Sequence, residues 1–599
     1  MNDQPRTAQS LPDPTDLSHS MTSIAERSQR LVTEFMAKQV ANGGMTDADP
    51  LNIGEAFMEM TTRMMTNPAQ MMGASLNLWQ DYLHLWQNTA TRMMGQDTGP
   101  MVTPENDDRR FRDSAWTENS VYDFVKQSYL LSSKWLQTTV NDVEGMDPKT
   151  AKKVDFYTRQ FVDAVSPTNF VMTNPEVLRE TLETGGENLI NGLENLLEDL
   201  ERGDGTLKIK MTDPDDFVIG ESIATSKGKV VFRNDLMELI QFTPKTDEVV
   251  KTPIIITPPW INKYYILDLR EKNSFIKWAV EQGHTVFIIS WVNPDEKLSK
   301  KSFDDYMLEG PIAAIEAALK ATGEKKVNMI GYCIGGTLLA SSLAYLAAKG
   351  DDRVSSATYF TSLVDFEEAG DLCVFIDEAQ VESLEKTMEE RGYLEGSEMA
   401  STFNMMRAND LIWSFVVNNY LMGKDPFPFD LLYWNGDSTR MPATMHSFYL
   451  RNMYMENNLV KPGSITLDSV ALDLRDIKVP TYIVSTKEDH IAPWKATYSA
   501  TQLYSGPVKF VLSGSGHIAG IINPPASGKY GHWTNSKTPK SPDKWLEGAT
   551  QHEGSWWDDW DAWIKKQSPK KTVPARVPGE GKLKALCDAP GEYVFYKAE

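Results

Sequence analysis

The feature that most constrains the fold is the run Gly331-Tyr332-Cys333-Ile334-Gly335-Gly336, which stands between an apolar strand-like segment and a helical segment. Its spacing is that of the G-x-S-x-G nucleophile elbow, with cysteine in place of serine. The glycines leave room for a sharp turn from strand to helix. The helix N-terminus then places N–H groups and partial positive charge beside the sulfur, which favours the thiolate. The motif predicts that Cys333 is a catalytic nucleophile, whereas Cys373 and Cys587 lack such a setting and are expected to be inert.

Short β-branched or apolar runs alternate with helical segments throughout residues 204–599. They are residues 230–232, 252–257, 285–291, 327–330, 357–360, 481–484 and 508–511. Such runs indicate a parallel sheet covered on both faces, so the predicted class is α/β, with an α/β-hydrolase catalytic domain over residues 204–599. More than 110 residues separate the strand near Leu363 from the strand near Val479, although a crossover needs only about 10–12. The surplus, about residues 366–478, is predicted to be a lid insertion beside the C-terminal edge of the sheet.

The first third of the chain has a different pattern. Residues 1–20 are polar and proline-bearing, and are predicted to be a disordered tail. Residues 21–203 are predicted to form an all-helical N-terminal domain, because apolar side chains recur at helical spacing, as in Leu76, Trp79, Leu83 and Trp86. Of the 28 methionines, 13 lie between Met1 and Met101. Two interpretations stay open: a helix core filled by flexible side chains, or an adaptable surface for a hydrophobic partner.

The acid and the base of a hydrolase-like triad are expected after later strands, in that chain order. Asp489 follows the run 481–484, and His517 follows the run 508–511. Asp365, after the run 357–360, occupies a second place where such folds can hold an acid. His490 is adjacent to Asp489, which makes a hydrogen bond from that acid awkward. The sequence therefore predicts the catalytic set Cys333, Asp489 and His517.

An oxyanion hole needs two N–H donors. One is expected from Ile334, the residue after the nucleophile. The other is expected from the loop of residues 258–263, after the first parallel strand, where Ile261 is the candidate donor. No metal-binding motif is found, and no G-x-G-x-x-G nucleotide signature follows the first strand.

Composition narrows the classes of partner. Lys and Arg number 60 against 83 Asp and Glu, a net charge of -23, which argues against nucleic acid as a partner. No apolar run approaches the length of about 18 residues that a transmembrane helix needs, and the first residues do not read as a secretory leader. Three cysteines form no disulfide framework, which indicates a reducing cytoplasm.

Beyond the elbow, several long motifs resemble those of class I polyhydroxyalkanoate synthases. They are P-P-W-I-N-K-Y-Y-I-L-D-L at residues 258–269, S-W-V-N-P-D at 290–295, Y-W-N-G-D-S-T-R-M-P at 433–442, S-T-K-E-D-H-I-A-P-W at 485–494, G-S-G-H-I-A-G at 514–520 and H-E-G-S-W-W at 552–557. The resemblance covers about residue 110 to the end of the chain, and the first hundred residues match only loosely.

The resemblance implies that the enzyme is an acyltransferase. It would polymerise (R)-3-hydroxyacyl-CoA, in particular 3-hydroxybutyryl-CoA, into a polyester and release CoA, with the acyl group carried on Cys333. CoA is then substrate and product, and no cofactor is implied. The resemblance also implies a homodimer that is bound to polyester granules in the cytoplasm. Two other functions stay open at this stage: a thioesterase or depolymerase with the same triad, and a granule-coat protein without catalysis.

Overall fold

The computed structural model describes Arg27, Arg30 and residues 53–96, 98–105 and 108–597. The predicted tail, residues 1–20, lies outside the described residues. The chain divides into two compact units. The first comprises residues up to Asp213 together with Phe403–Pro428, and the second comprises Pro214–Thr402 together with the residues from Phe429 onward. In the part of the chain that the structure describes, no helix has the length and apolar character needed to cross a membrane.

The first unit is helical, as predicted. In residues 53–213 as far as they are described, its α-helices are α1 (Ile53–Thr66), α2 (Pro68–Met93), α3 (Ala115–Glu118), α4 (Ser120–Asn141), α5 (Pro148–Ala164), α6 (Pro175–Glu183) and α7 (Glu187–Arg202). Asp147 and Asn174 each accept hydrogen bonds from N–H groups of the helix that follows, and a proline occupies the first helical position. Both are favoured starts for a helix. Helix α7 ends at Arg202, because the next residues, Gly203-Asp204-Gly205, interrupt the helical pattern.

The predicted apolar stripe lies on α2 and faces solvent. Trp79 and Trp86 are each 62% exposed, and Leu76 is 55% exposed. The buried side of the helix is instead represented by Leu85, which is 2% exposed. Of the methionines near α2, several are exposed, including both members of the Met71-Met72 and Met93-Met94 pairs. The helix prediction is confirmed, and the exposure is the property that an adaptable surface requires.

Residues 403–428 belong to the first unit although they come from the predicted lid insertion. Two π-helical turns, Asn409–Trp413 and Val416–Leu421, lie in this segment. The side-chain amide of Asn188 on α7 donates to the carbonyl of Leu421 at 2.7 Å. A Cβ on Gly192 would lie 1.9 Å from the carbonyl oxygen of Tyr420, so only glycine permits this approach. The segment is therefore packed on α7 by backbone contacts.

The second unit contains the strands. They are β1 (Gly228–Arg233), β2 (Met237–Phe242), β3 (Glu248–Val250), β4 (Ile254–Thr257), β5 (Val286–Trp291), β6 (Val327–Tyr332), β7 (Val354–Phe360), β8 (Tyr393–Leu394), β9 (Met441–Pro442), β10 (Thr466–Leu467), β11 (Val470–Ala471), β12 (Thr481–Thr486), β13 (Val508–Ser513), β14 (His532–Thr534), β15 (Thr550–His552), β16 (Thr572–Pro574) and β17 (Cys587–Asp588). One 11-stranded sheet has the order β15-β14-β13-β12-β7-β6-β4-β5-β2-β1-β17. Strands β13 to β5 in this order are parallel, and the flanking pairs are antiparallel.

The second unit also contains helices. They are α8 (Phe275–Glu281), α9 (Phe303–Met307), α10 (Ala313–Thr322), α11 (Ile334–Ala348), α12 (Glu378–Arg391), α13 (Gly396–Met406, which continues into the first unit), α14 (Asp430–Gly436), α15 (Ala443–Tyr449), α16 (Trp494–Tyr498), α17 (Ala500–Leu503), α18 (Pro542–Glu547) and α19 (Trp557–Lys566). On β4, Ile254 and Ile256 pack into a core cluster with Trp560 of α19, whereas Ile255 packs into a second cluster with Leu338 of α11. Since successive side chains of a strand point to opposite faces, both faces of the sheet are buried.

Each predicted run overlaps a strand, which confirms the predicted α/β class. The sheet differs from the expected all-parallel one at its flanks, where β2 lies antiparallel between β1 and β5. A buried apolar strand has the same sequence pattern in either orientation, so the sequence does not show this direction. The shortest flanking strands, such as β14 and β17, hold too few residues for a recognisable period.

Candidate active site

Cys333 stands alone between β6 and α11 in a conformation that L-residues rarely adopt, with φ 52° and ψ −126°. Its backbone N–H donates to the carbonyl of Phe360 on β7 at 3.0 Å. A Cβ on Gly331 would lie 2.5 Å from the Cα of Gly336, and one on Gly335 would lie 2.3 Å from the carbonyl oxygen of Thr257. The elbow therefore needs its glycines, as predicted, and holds Cys333 in a strained backbone conformation, which occurs mainly at functional sites.

We expect Gly335→Ala to destabilise the protein. The new methyl group would meet the carbonyl oxygens of Thr257 at 2.3 Å and Pro258 at 2.7 Å. These are backbone atoms and cannot rotate away, so we expect a loss of about 1–3 kcal/mol in the free energy of unfolding. Thermal melting measures it. Gly436→Ala is the control, because a Cβ there meets nothing within 4 Å. A variant that melts with the wild type would contradict the steric argument.

His517 and Asp489 form a hydrogen-bonded pair. Strands β12 and β13 are parallel neighbours, so the loops that follow them meet at one edge of the sheet. The Nδ1 of His517 lies 2.7 Å from Oδ2 of Asp489, and both side chains are buried. Oδ1 of Asp489 accepts the N–H groups of Ile491 at 2.9 Å and Ala492 at 2.8 Å, while the Thr486 hydroxyl donates to Oδ2 at 3.2 Å. The carboxylate is thereby held in one orientation.

The charges around His517 favour its protonated form. Burial alone would lower the pKa of His517, but the negative charges of Asp489 and Cys333, with side-chain hydrogen bonds to both, raise it well above its usual range. The raised pKa favours an imidazolium between the Asp489 carboxylate and the Cys333 sulfur. Tyr332, which the motif did not single out, stacks on the imidazole at 5.8 Å between ring centroids and donates its hydroxyl to the His517 carbonyl at 3.3 Å.

We expect Asp489→Asn to lower the pKa of His517, because it removes the strongest influence that raises it. Diethyl pyrocarbonate modifies only neutral imidazole, so the pH midpoint of His517 modification should move downward. Peptide mass spectrometry across a pH series measures this, with the exposed His552 as internal reference. The midpoint, unlike the plateau rate, does not depend on access to the buried ring. An unchanged midpoint would show that Asp489 does not set the charge of His517.

The competing acid and histidines have other partners. Asp365 accepts the side-chain amide of Asn457 at 2.7 Å and the N–H of Glu367 at 3.2 Å. The carbonyl of His490 accepts the N–H of Asp371 at 3.2 Å. Two further histidines also have partners: His284 pairs with Asp561, and His532 pairs with the carbonyl of Gly554. His446 is buried and His552 is exposed, and His19 lies outside the described residues. The structure brings His517 together with Asp489 and not with Asp365.

The other two cysteines have local contacts. Cys373 donates to the carbonyl of Gly370 at 3.0 Å. Cys587 lies on the edge strand β17, 3.6 Å from the guanidinium of Arg233, and burial raises the pKa of its thiol. Neither thiol occupies a strand-to-helix turn.

The two candidate oxyanion donors lie on elements that touch each other. Ile334 is the buried first residue of α11, and Ile261 packs against the same core cluster. The loop of residues 258–263 begins at the elbow, because Gly335 abuts the carbonyls of Thr257 and Pro258. Among the described residues, neither the Ile334 N–H nor the Ile261 N–H donates to another group.

Comparisons with known proteins identify the family. A family model described as the N-terminus of poly-beta-hydroxybutyrate polymerase (PhaC) matches residues 107–279, and one described as the alpha/beta hydrolase fold matches residues 268–524. The chain is 48% identical to the poly(3-hydroxyalkanoate) polymerase of Methylorubrum extorquens, over 99% of each chain. It is 46% identical to the PhaC subunit of Rhizobium meliloti, over 98% of this chain and 96% of that one. With the PhaC subunit of Cupriavidus necator it shares 45% identity over 89% of each chain. The chain therefore belongs to the poly(3-hydroxyalkanoate) polymerase family, with an α/β-hydrolase domain that bears the elbow.

Proposed function

We propose that this protein polymerises (R)-3-hydroxyacyl-CoA, in particular 3-hydroxybutyryl-CoA, and releases CoA. The observation that carries the proposal is Cys333 in a strained elbow, beside a buried His517 that is hydrogen bonded to Asp489. Membership of the polymerase family supports the same reaction. The proposed catalytic residues are Cys333, Asp489 and His517, with Ile334 and Ile261 as oxyanion donors.

In the first step, the thiolate of Cys333 attacks the thioester carbonyl of the substrate. The oxyanion that forms accepts hydrogen bonds from the N–H groups of Ile334 and Ile261. Protonated His517 donates its proton to the CoA sulfur as the bond to the acyl carbon breaks. The acyl group has then moved from one sulfur to another, and His517 is neutral.

In the second step, the 3-hydroxyl group of another unit attacks the thioester on Cys333. Acylation has removed the thiolate charge, which is one of the influences that raise the pKa of His517. His517 then acts as a base and takes the hydroxyl proton, while Asp489 holds the imidazole tautomer. An ester bond forms and the Cys333 sulfur is released. The charge coupling of the two residues thus changes His517 from acid to base between steps.

The proposed partners are a polyester granule surface in the cytoplasm and a second copy of the chain, as in the family that the motifs resemble. The exposed side chains Leu76, Trp79 and Trp86 on α2 support attachment to a hydrophobic surface. A granule-coat function without catalysis is disfavoured, because a coat protein needs neither a strained nucleophile nor a buried acid–base pair. Hydrolysis by the same triad is separated from polymerisation only by the product.

The test is incubation of the purified protein with (R)-3-hydroxybutyryl-CoA, with Cys333→Ala as the matched control. We expect CoA release together with insoluble polyester from the wild type alone. CoA release with soluble 3-hydroxybutyrate would indicate a thioesterase. No CoA release would favour a coat protein, and breakdown of added polyester would indicate a depolymerase.

A further inference from the structure

Lys263 is a lysine in an unusual place. Its side chain is 3% exposed, and its Nζ donates to the backbone carbonyl of Tyr596 at 2.5 Å. Burial lowers the pKa of Lys263 to about 8, although the negative charge of Asp437 acts to raise it. Removing an ammonium group from water is costly unless its partners compensate. Buried groups with such pKa shifts concentrate at functional sites, which suggests that Lys263 has a functional role in addition to its packing.

The acceptor of Lys263 belongs to a firmly attached C-terminal segment. Buried Glu238 on β2 accepts the N–H groups of Glu592 at 2.9 Å and Tyr593 at 3.0 Å. The side-chain amide of Asn293 also donates to the Tyr596 carbonyl, at 3.3 Å. The carbonyl that receives Lys263 is therefore fixed on the body of the sheet.

Lys263 is the last residue of the loop of residues 258–263, whose first residue, Pro258, contacts Gly335 of the elbow. Its own carbonyl accepts the indole N–H of Trp434 at 2.7 Å. The carbonyl of Ile261 accepts the N–H of Thr439 at 2.8 Å. The Thr439 hydroxyl also donates to the carbonyl of Trp260, which belongs to the same peptide group as the Ile261 N–H, so this peptide group is held in place. One end of the loop abuts Gly335, and the other end is held through Lys263.

We propose that Lys263 is a positioning residue for the oxyanion hole. By anchoring the loop to the C-terminal segment, it holds the Ile261 N–H in the direction that the developing oxyanion requires. It touches no reacting atom. The inference rests on the proposed function, because that function makes Ile261 a donor. It also makes the C-terminal segment a functional part of the active site.

The test is Lys263→Met, which keeps a long unbranched side chain and removes the donor. We expect kcat for CoA release to fall about 10-fold or more, less than for complete loss of a donor, with KM within about twofold. Alkylation of Cys333 by iodoacetamide should keep its wild-type rate, because that displacement forms no oxyanion. A general loss of packing would slow both reactions.

Lys229→Met is the control. Lys229 pairs with Asp588 of the same C-terminal segment but is partly exposed, so kcat should be unchanged. An unchanged kcat in Lys263→Met, or equal losses in turnover and alkylation, would overturn the proposal. If that variant does not fold, Asn293→Ala, which removes the other donor to the Tyr596 carbonyl and the acceptor of the Arg440 N–H, should show a smaller selective loss of kcat. If the wild type releases no CoA, the proposed function fails, and acylation by p-nitrophenyl butyrate still tests Lys263.

Discussion

Cys333→Ala is expected to release no CoA above background, a loss on the order of 10⁴-fold or more. Cys373→Ala and Cys587→Ala are expected to retain most of the wild-type activity. The reason is that the Cys333 sulfur alone stands at the strand-to-helix turn, coupled to His517. Colorimetric detection of free CoA measures all three variants, and circular dichroism checks that they fold.

The serine variant refines this result. Cys333→Ser should fold and be severely impaired, because a hydroxyl is far less acidic than a thiol and would have to be deprotonated during attack. Loss of activity in a normally folded Cys373→Ala would contradict the assignment of the nucleophile. Full activity in Cys333→Ala would contradict a covalent mechanism.

Asp489→Asn is expected to fold normally and to lose turnover on the order of 10⁴-fold. An amide in this place cannot stabilise the imidazolium and favours the wrong tautomer of His517. Asp365→Asn is the matched control. It changes an acid after a neighbouring strand whose carboxylate contacts Asn457 rather than His517. Steady-state rates of CoA release measure both variants.

The opposite ranking of the two variants would place the acid at Asp365. That outcome would also mean that the 2.7 Å hydrogen bond between His517 and Asp489 does not contribute to catalysis. Equal, modest losses in both variants would indicate that orientation of the imidazole contributes little to the rate.

The parts of the site that sequence predicts are those set by local motifs and by strand order. Gly331 and Gly335 predict the elbow because the turn itself excludes side chains. Asp489 and His517 follow neighbouring parallel strands, so chain order alone indicates that they meet. Their catalytic roles stay predictions until the variants are measured.

Other features depend on contacts between distant segments, and no local pattern indicates them. The carbonyl of Tyr596 lies 333 positions from Lys263 along the chain. Every residue has a backbone carbonyl, so the residue type at position 596 does not indicate this acceptor. The sequence likewise does not show that β2 is antiparallel to β5, because a strand in either direction buries the same apolar side chains. For a related reason, the sequence alone does not show that the apolar stripe of α2 is exposed. Periodicity shows which side chains share a face, and it does not show whether that face is covered.

The packing of residues 403–428 on α7 has a consequence for deletion studies. The chain passes between the two units at three places, after residues 213, 402 and 428, so no single cut separates them. A protein shortened to begin near Gly203 would lack Asn188 and Gly192, on which Leu421 and Tyr420 rest. The loop between β7 and β12 would then carry an orphaned stretch in its middle. Lost polymer synthesis after such a deletion would therefore report a damaged insertion, even if the missing helices served only for attachment.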